Sequence, residues 1–324
     1  METQQLNRVN DPQTAAGSLI RAMDAFDEDH ERAVDDLLRV VGYGSWQDRR
    51  STVRQAEAMG RDAIQWVKDK TSGAFQGGLL ALIEPAPLRD ARWVRDAVSG
   101  FMKKKDVVRE IVCTRTPSQL TAISESYIDV YQADMLQDIL GCFSGKERKL
   151  FENLLSFDRR GVGEAGTPRI VDKELARALA KKLHDAGPAS WFNDEGVYID
   201  ILTTESVDMV RAVFREYEGM YGRSLFDVIE KEFRGDFQKD MYLLGLALNN
   251  PPRVFADVIR AAVKGLGTDE DALTRAVIAR KDIDLREIRS VYDAAYGNML
   301  DAIRADTSGD FRKLLETVIL SVGE

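Results

Sequence analysis

The residues with the most chemistry in them are Val263-Lys264-Gly265-Leu266-Gly267-Thr268-Asp269-Glu270, together with a carboxylate further along the chain, Asp306. Two closely spaced glycines let a loop turn sharply and bring backbone carbonyls into one space. Calcium is a hard cation that takes roughly 6–8 oxygens from carbonyls, carboxylates and water. A carbonyl loop with one distant carboxylate fills only part of that shell. Such a site is expected to be weak alone and tighter once an outside phosphate oxygen completes it.

Other chemistries find little support. The two histidines, His30 and His184, are far apart and neither has a metal-ligand partner four residues on. Cys113 and Cys142 sit in no nucleophile or zinc motif, and two cysteines are too few for a disulfide framework, which points to a reducing compartment. No phosphate-cradling or dinucleotide fingerprint occurs, so the chain is not read as an enzyme. Its formal charge of −9 argues against nucleic acid as a partner. It also sets up repulsion from an anionic membrane unless a cation lies between them. The polar start lacks the order of a signal peptide, and the run Leu79-Leu80-Ala81-Leu82-Ile83 is too short to cross a bilayer. The expectation is a cytoplasmic protein whose membrane contact is peripheral.

The elements that must position the loop repeat along the chain. Gly73, Gly145, Gly235 and Gly309 sit in similar short patterns, ending in Lys70-Thr71-Ser72-Gly73 and Asp306-Thr307-Ser308-Gly309 at the two extremes. They lie 72, 90 and 74 residues apart. Phe26, Phe101, Trp191 and Leu266, each in a loop-like break, are spaced by 75, 90 and 75. Two markers with one rhythm identify four units. Apolar residues within a unit follow the helical period, as in Leu273, Val277, Ile278, Ile288, Val291 and Tyr292. The last unit breaks at residues 264–268, 281–284, 296–298 and 306–309, which gives about five short helices per unit. Thr268 with Asp271 reads as a capping box. The fold class is all-α. Residues 1–15 form a tail, the repeats occupy 16–85, 88–158, 171–248 and 250–322, and a glycine-rich linker at 159–170 separates the array into two pairs.

The loop 263–268, the acid before Thr307-Ser308-Gly309, the four units and the long central linker together resemble the annexin family, over essentially everything after residue 16. The resemblance implies four annexin-type repeats of about five helices in a curved array, with the loops on its convex face and the tail on the opposite one. It implies calcium held by the carbonyls of Val263, Gly265 and Gly267 and the carboxylate of Asp306, with Thr268 and Glu270 as a minor neighbouring site. It also implies an acidic phospholipid membrane as partner. The segment 300–306 is one residue shorter than the family pattern, which would shift Asp306 and weaken the site.

The other loops depart further. The first reads Met23-Asp24-Ala25-Phe26-Asp27-Glu28 with Lys70 in the acid's place, and the second Gly100-Phe101-Met102-Lys103-Lys104-Lys105 with Cys142 there. No calcium is expected in either. The third keeps Glu232 and offers Gly187, Ser190 and Phe192, although Phe192 stands where a glycine belongs and would be penalised at positive φ. Trp191, Phe192, Leu266, Phe101 and Met102 are expected to touch the membrane, with Trp191 suited to headgroup level. Lys103, Lys104 and Lys105 would each add about 1 kcal/mol near anionic lipid. Asp269 and Asp271 read as first-turn acids that complement the helix dipole. With three loops degenerate, the alternative is a scaffold that binds a cytoskeletal protein without calcium, as in the giardins.

Overall fold

A computed structural model describes residues 12–156, 171–187, 194–265 and 267–323. Among the described residues there are twenty α-helices, one short 3₁₀ turn and no strand. The linker expected at residues 159–170 lies outside them.

The first repeat contains α1 (Pro12–Ala25), α2 (His30–Val41), α3 (Trp46–Ala58), α4 (Ala63–Lys70) and α5 (Gly73–Ile83). The second contains α6 (Ala86–Val98), α7 (Lys105–Thr114), α8 (Pro117–Tyr131), α9 (Met135–Leu140) and α10 (Gly145–Leu155). The third contains α11 (Lys173–Ala186), α12 (Glu195–Thr204), α13 (Val207–Tyr221), α14 (Leu225–Glu232) and α15 (Gly235–Asn249). The fourth contains α16 (Pro251–Ala262), α17 (Glu270–Ala276) with the 3₁₀ turn Ile278–Arg280, α18 (Leu285–Tyr296), α19 (Met299–Asp306) and α20 (Gly309–Ser321).

The recurrent glycine now has a reason. Gly73, Gly145, Gly235 and Gly309 each open the last helix of their repeat with φ between +52° and +66°, a left-handed conformation that side chains resist. Capping repeats as well. Asp29, Asp194 and Asp269 each cap the second helix of their repeat through the carboxylate. In the second repeat Lys104 holds that position and makes no side-chain cap bond. Thr268 is therefore not the cap expected of it; Asp269 is, and accepts from the Ala272 amide at 2.9 Å.

The chain packs into two compact units, one of residues up to Arg89 with those from Pro252 onward, the other spanning Asp90–Pro251. Sequence order thus misleads about pairing: the first repeat packs with the fourth, and the second with the third. In the first unit α5 lies against α17 and α20. Gly78 admits this approach, because a Cβ there would come within 2.5 Å of Leu314 and 2.8 Å of Ile278. In the second unit α7 packs on α15, and α10 on α12. The fifth residue of α2 is Val34 and the sixth of α20 is Leu314, both fully buried. The corresponding positions in α7 and α15 hold Arg109 and Asp240, a buried ion pair.

Candidate metal centre

The fourth loop spans the gap between α16 and α17. Helix α16 ends as the Val263 amide bonds the Ile259 carbonyl at 3.1 Å, and the Asp269 amide closes the loop on the Ala262 carbonyl at 3.1 Å. Gly265 has φ of 128° and Gly267 of 89°. A Cβ at either would meet nothing within 4 Å, so the backbone angle, not crowding, calls for glycine. Asp306, the last residue of α19, reaches this loop. Thr268 Oγ1 lies 2.6 Å from both the Asp306 carboxylate and the Asp306 carbonyl oxygen, and donates its single proton to that pair. The short 300–306 segment therefore leaves the carboxylate within hydrogen-bond reach of the loop. Glu270 is exposed at the start of α17, and Leu266 lies outside the described residues.

Among the described residues no three His, Cys, Asp or Glu side chains gather as a metal cluster. Any cation here would depend on main-chain carbonyls plus one carboxylate. That donor set is all oxygen, and two glycines permit the loop geometry, so it suits a hard ion such as calcium.

In the first repeat the Lys70 ammonium sits on the Asp27 carboxylate, and Arg61 pairs with Asp24 at 2.6 Å. No residue in 24–29 has a left-handed φ. Phe26 does not face solvent; it is buried edge-on against Trp66 and His30.

In the second repeat the loop closes as in the fourth, with the Lys104 amide on the Ala97 carbonyl at 2.9 Å. Lys103, at the Thr268 position, donates its ammonium to the carbonyl of Val98, the counterpart of Val263. Lys105 lies over the Phe143 ring, 5.1 Å from its centroid, and 3.9 Å from Glu147. The Cys142 thiol contacts the Asp138 carbonyl at 3.5 Å. Burial pushes the Cys142 thiol up, against the opposing pull of Lys103 and Lys105. Phe101 and Met102 are 102% and 83% exposed.

In the third repeat Ser190, Trp191 and Phe192 lie outside the described residues. Gly187 ends α11, and a Cβ there would come within 2.3 Å of the Tyr198 hydroxyl, so close packing accounts for this glycine. Glu232 ends α14, half-buried, and its charge acts with burial and Tyr217 to raise the Tyr198 hydroxyl above its ordinary range. The carboxylate is thus in electrostatic reach of the tyrosine that abuts Gly187.

Neither histidine joins a nucleophile. His30 pairs with Asp310 at 2.7 Å, and His184 stacks on Tyr221 at 3.8 Å between ring centres. Among the described residues neither cysteine is in a disulfide. No helix is long and apolar enough to cross a membrane, among the described residues. The sequence reading missed the Asp27 and Val98 partners, since a lysine's acceptor is fixed by folding and not by spacing.

Comparison with known proteins agrees with the helical repeats. A family profile described as Annexin matches residues 89–154, 176–244 and 254–318. Human annexin A13 is 32% identical over 293 residues, covering 90% of each chain. The solved structure of annexin III superposes with a TM-score of 0.86 at 29% identity, covering 95% of this chain and 93% of that one. A calcium-bound annexin (Sm)1 structure shares the fold, with a TM-score of 0.84 at 24% identity over 95% of this chain and 90% of that one. With its all-helical repeats and profile matches across three of them, the chain belongs to the annexin family.

Proposed function

We propose that this protein binds acidic phospholipid in a calcium-dependent way, docking peripherally on the cytoplasmic face of membranes through the loop of the fourth repeat. The observation that carries the reading is the contact between Thr268 and Asp306, which joins the carboxylate to the glycine loop. The carbonyls of Val263, Gly265 and Gly267 and the carboxylate of Asp306 would hold the ion. When bound, calcium supplies a double positive charge and open coordination positions that a phosphoryl oxygen can fill. Thr268 orients the carboxylate, and the glycines let the backbone adopt the loop. The acidic protein, at −9, needs such a charge between itself and an anionic surface. Thr268 and Glu270 form a minor neighbouring site. Gly187, Ser190, Phe192 and Glu232 form a weaker one in the third repeat. Trp191, Phe192 and Leu266 settle at the interface, and no catalysis is involved.

A second reading, a scaffold that engages a cytoskeletal protein without calcium, is favoured by the ammonium groups held in the first two loops. Sedimentation with phosphatidylserine vesicles separates the two. The lead reading expects calcium to increase pelleting, and that calcium-dependent increment to be lost on chelation and in Gly267→Glu or Asp306→Ala. Pelleting that ignores calcium and both substitutions, or binding to filaments alone, contradicts it.

A further inference from the structure

We propose that the second repeat carries a metal-free membrane finger: Lys103 holds its loop in order, and the exposed pair Phe101 and Met102 enters an anionic bilayer without calcium. The inference rests on the reading that this protein docks on acidic membranes, and concerns a different loop and a different cation. Three observations converge on it. The Lys103 ammonium bonds the Val98 carbonyl, whose counterpart in the fourth repeat, Val263, is assigned to calcium. A tethered positive charge thus takes up a loop oxygen that would otherwise await a metal. Next, the backbone closes identically in both loops, Lys104 amide to Ala97 and Asp269 amide to Ala262. The finger is therefore closed by its own backbone, as the fourth loop is. Last, its tip presents two large apolar side chains at 102% and 83% exposure, flanked by three lysines. Phe26, at the matching place in the first repeat, is instead buried.

Lys104 is also out of place for capping. Asp29, Asp194 and Asp269 cap the corresponding helices, whereas Lys104 makes no cap bond and puts positive charge at the positive end of the α7 dipole. Apolar tips ringed by cations match the chemistry of an anionic interface, where hydrocarbon takes the rings and chains and phosphates face the ammonium groups.

The test uses the full chain and phosphatidylcholine vesicles with and without phosphatidylserine, in chelator, at low and high salt. Wild type is expected to bind only the vesicles with phosphatidylserine, and to release at high salt. The Phe101→Ala, Met102→Ala double variant is expected to bind at least about tenfold more weakly. Lys104→Asp is expected to bind more weakly while melting about 1–3 °C higher, because it restores the cap. Asp306→Ala is expected to keep all chelator-resistant binding. Absence of that binding in the wild type, equal binding to uncharged vesicles, or indifference to the tip variants overturns the finger. Calcium-dependent pelleting intact beside any of these results leaves the fourth-repeat reading standing; its loss sinks that reading separately.

Discussion

Thr268 Oγ1 stands 2.6 Å from a carboxylate oxygen of Asp306, a residue 38 positions away that ends a different helix. Three short segments thereby converge: the glycine loop, the start of α17 and the end of α19. The hydroxyl has a role other than capping, since Asp269 already caps α17.

This contact makes Thr268→Val informative. The substitution keeps the shape and removes the donor. Loss of a hydrogen bond to a charged group is worth about 1.5–3 kcal/mol, so half-maximal calcium for vesicle binding is expected to rise roughly tenfold or more. Calcium titration of sedimentation checks it, and melting temperature controls for folding.

Gly267→Ala probes the loop backbone alone. An alanine held at φ of 89° costs about 1–2 kcal/mol, with nothing nearby to clash. We expect weaker calcium binding with almost unchanged melting, because a loop can relax. Gly78→Ala is the opposite case. Its Cβ would strike Leu314 and Ile278, so melting should fall by the equivalent of about 1–3 kcal/mol while the loop is untouched.

For the first repeat, Lys70→Asp is expected not to create a calcium site. The loop has no left-handed residue to turn its carbonyls, and the new acid would face Asp27. Calorimetric calcium stoichiometry should match wild type. Loss of the exposed Lys70 pair itself is worth at most about 1 kcal/mol.

Arg109 and Asp240 give a pH prediction in the second unit. Burial pushes the Asp240 carboxyl up to about 6, against the pull of Arg109. Its ordinary value is 3.8, so the folded state holds this proton more tightly than the unfolded one. Through this group, stability is greatest below about 4 and declines as pH rises to about 6. Asp240→Asn should flatten melting temperature across that window. Arg109→Met, which strands a buried charge, should destabilise by about 3–5 kcal/mol. Arg109→Val with Asp240→Leu copies the Val34 and Leu314 pair of the first unit and should recover most of that loss.

Local features were legible in the sequence. The five-helix repeat followed from helical period and breaks, and the recurrent glycines marked a backbone angle that other residues avoid. Residues 263–268 and Asp306 stood out by type and spacing. What could not be read depends on packing between distant segments. The pairing of the first repeat with the fourth arises from apolar faces such as that around Gly78, and chain order does not encode it. Phe26 and Phe101 occupy matching positions yet differ in fate, because Trp66 and His30 receive the first ring. The choice of Asp269 over Thr268 as cap likewise turned on an acceptor, Asp306, that only the fold brings near.

The most direct test of the account is calorimetric titration of calcium into the wild type and Asp306→Ala, each with phosphatidylserine vesicles. Binding that the wild type shows, and that the substitution weakens at least about tenfold, is the predicted result. Equal calcium binding by the two proteins would contradict it.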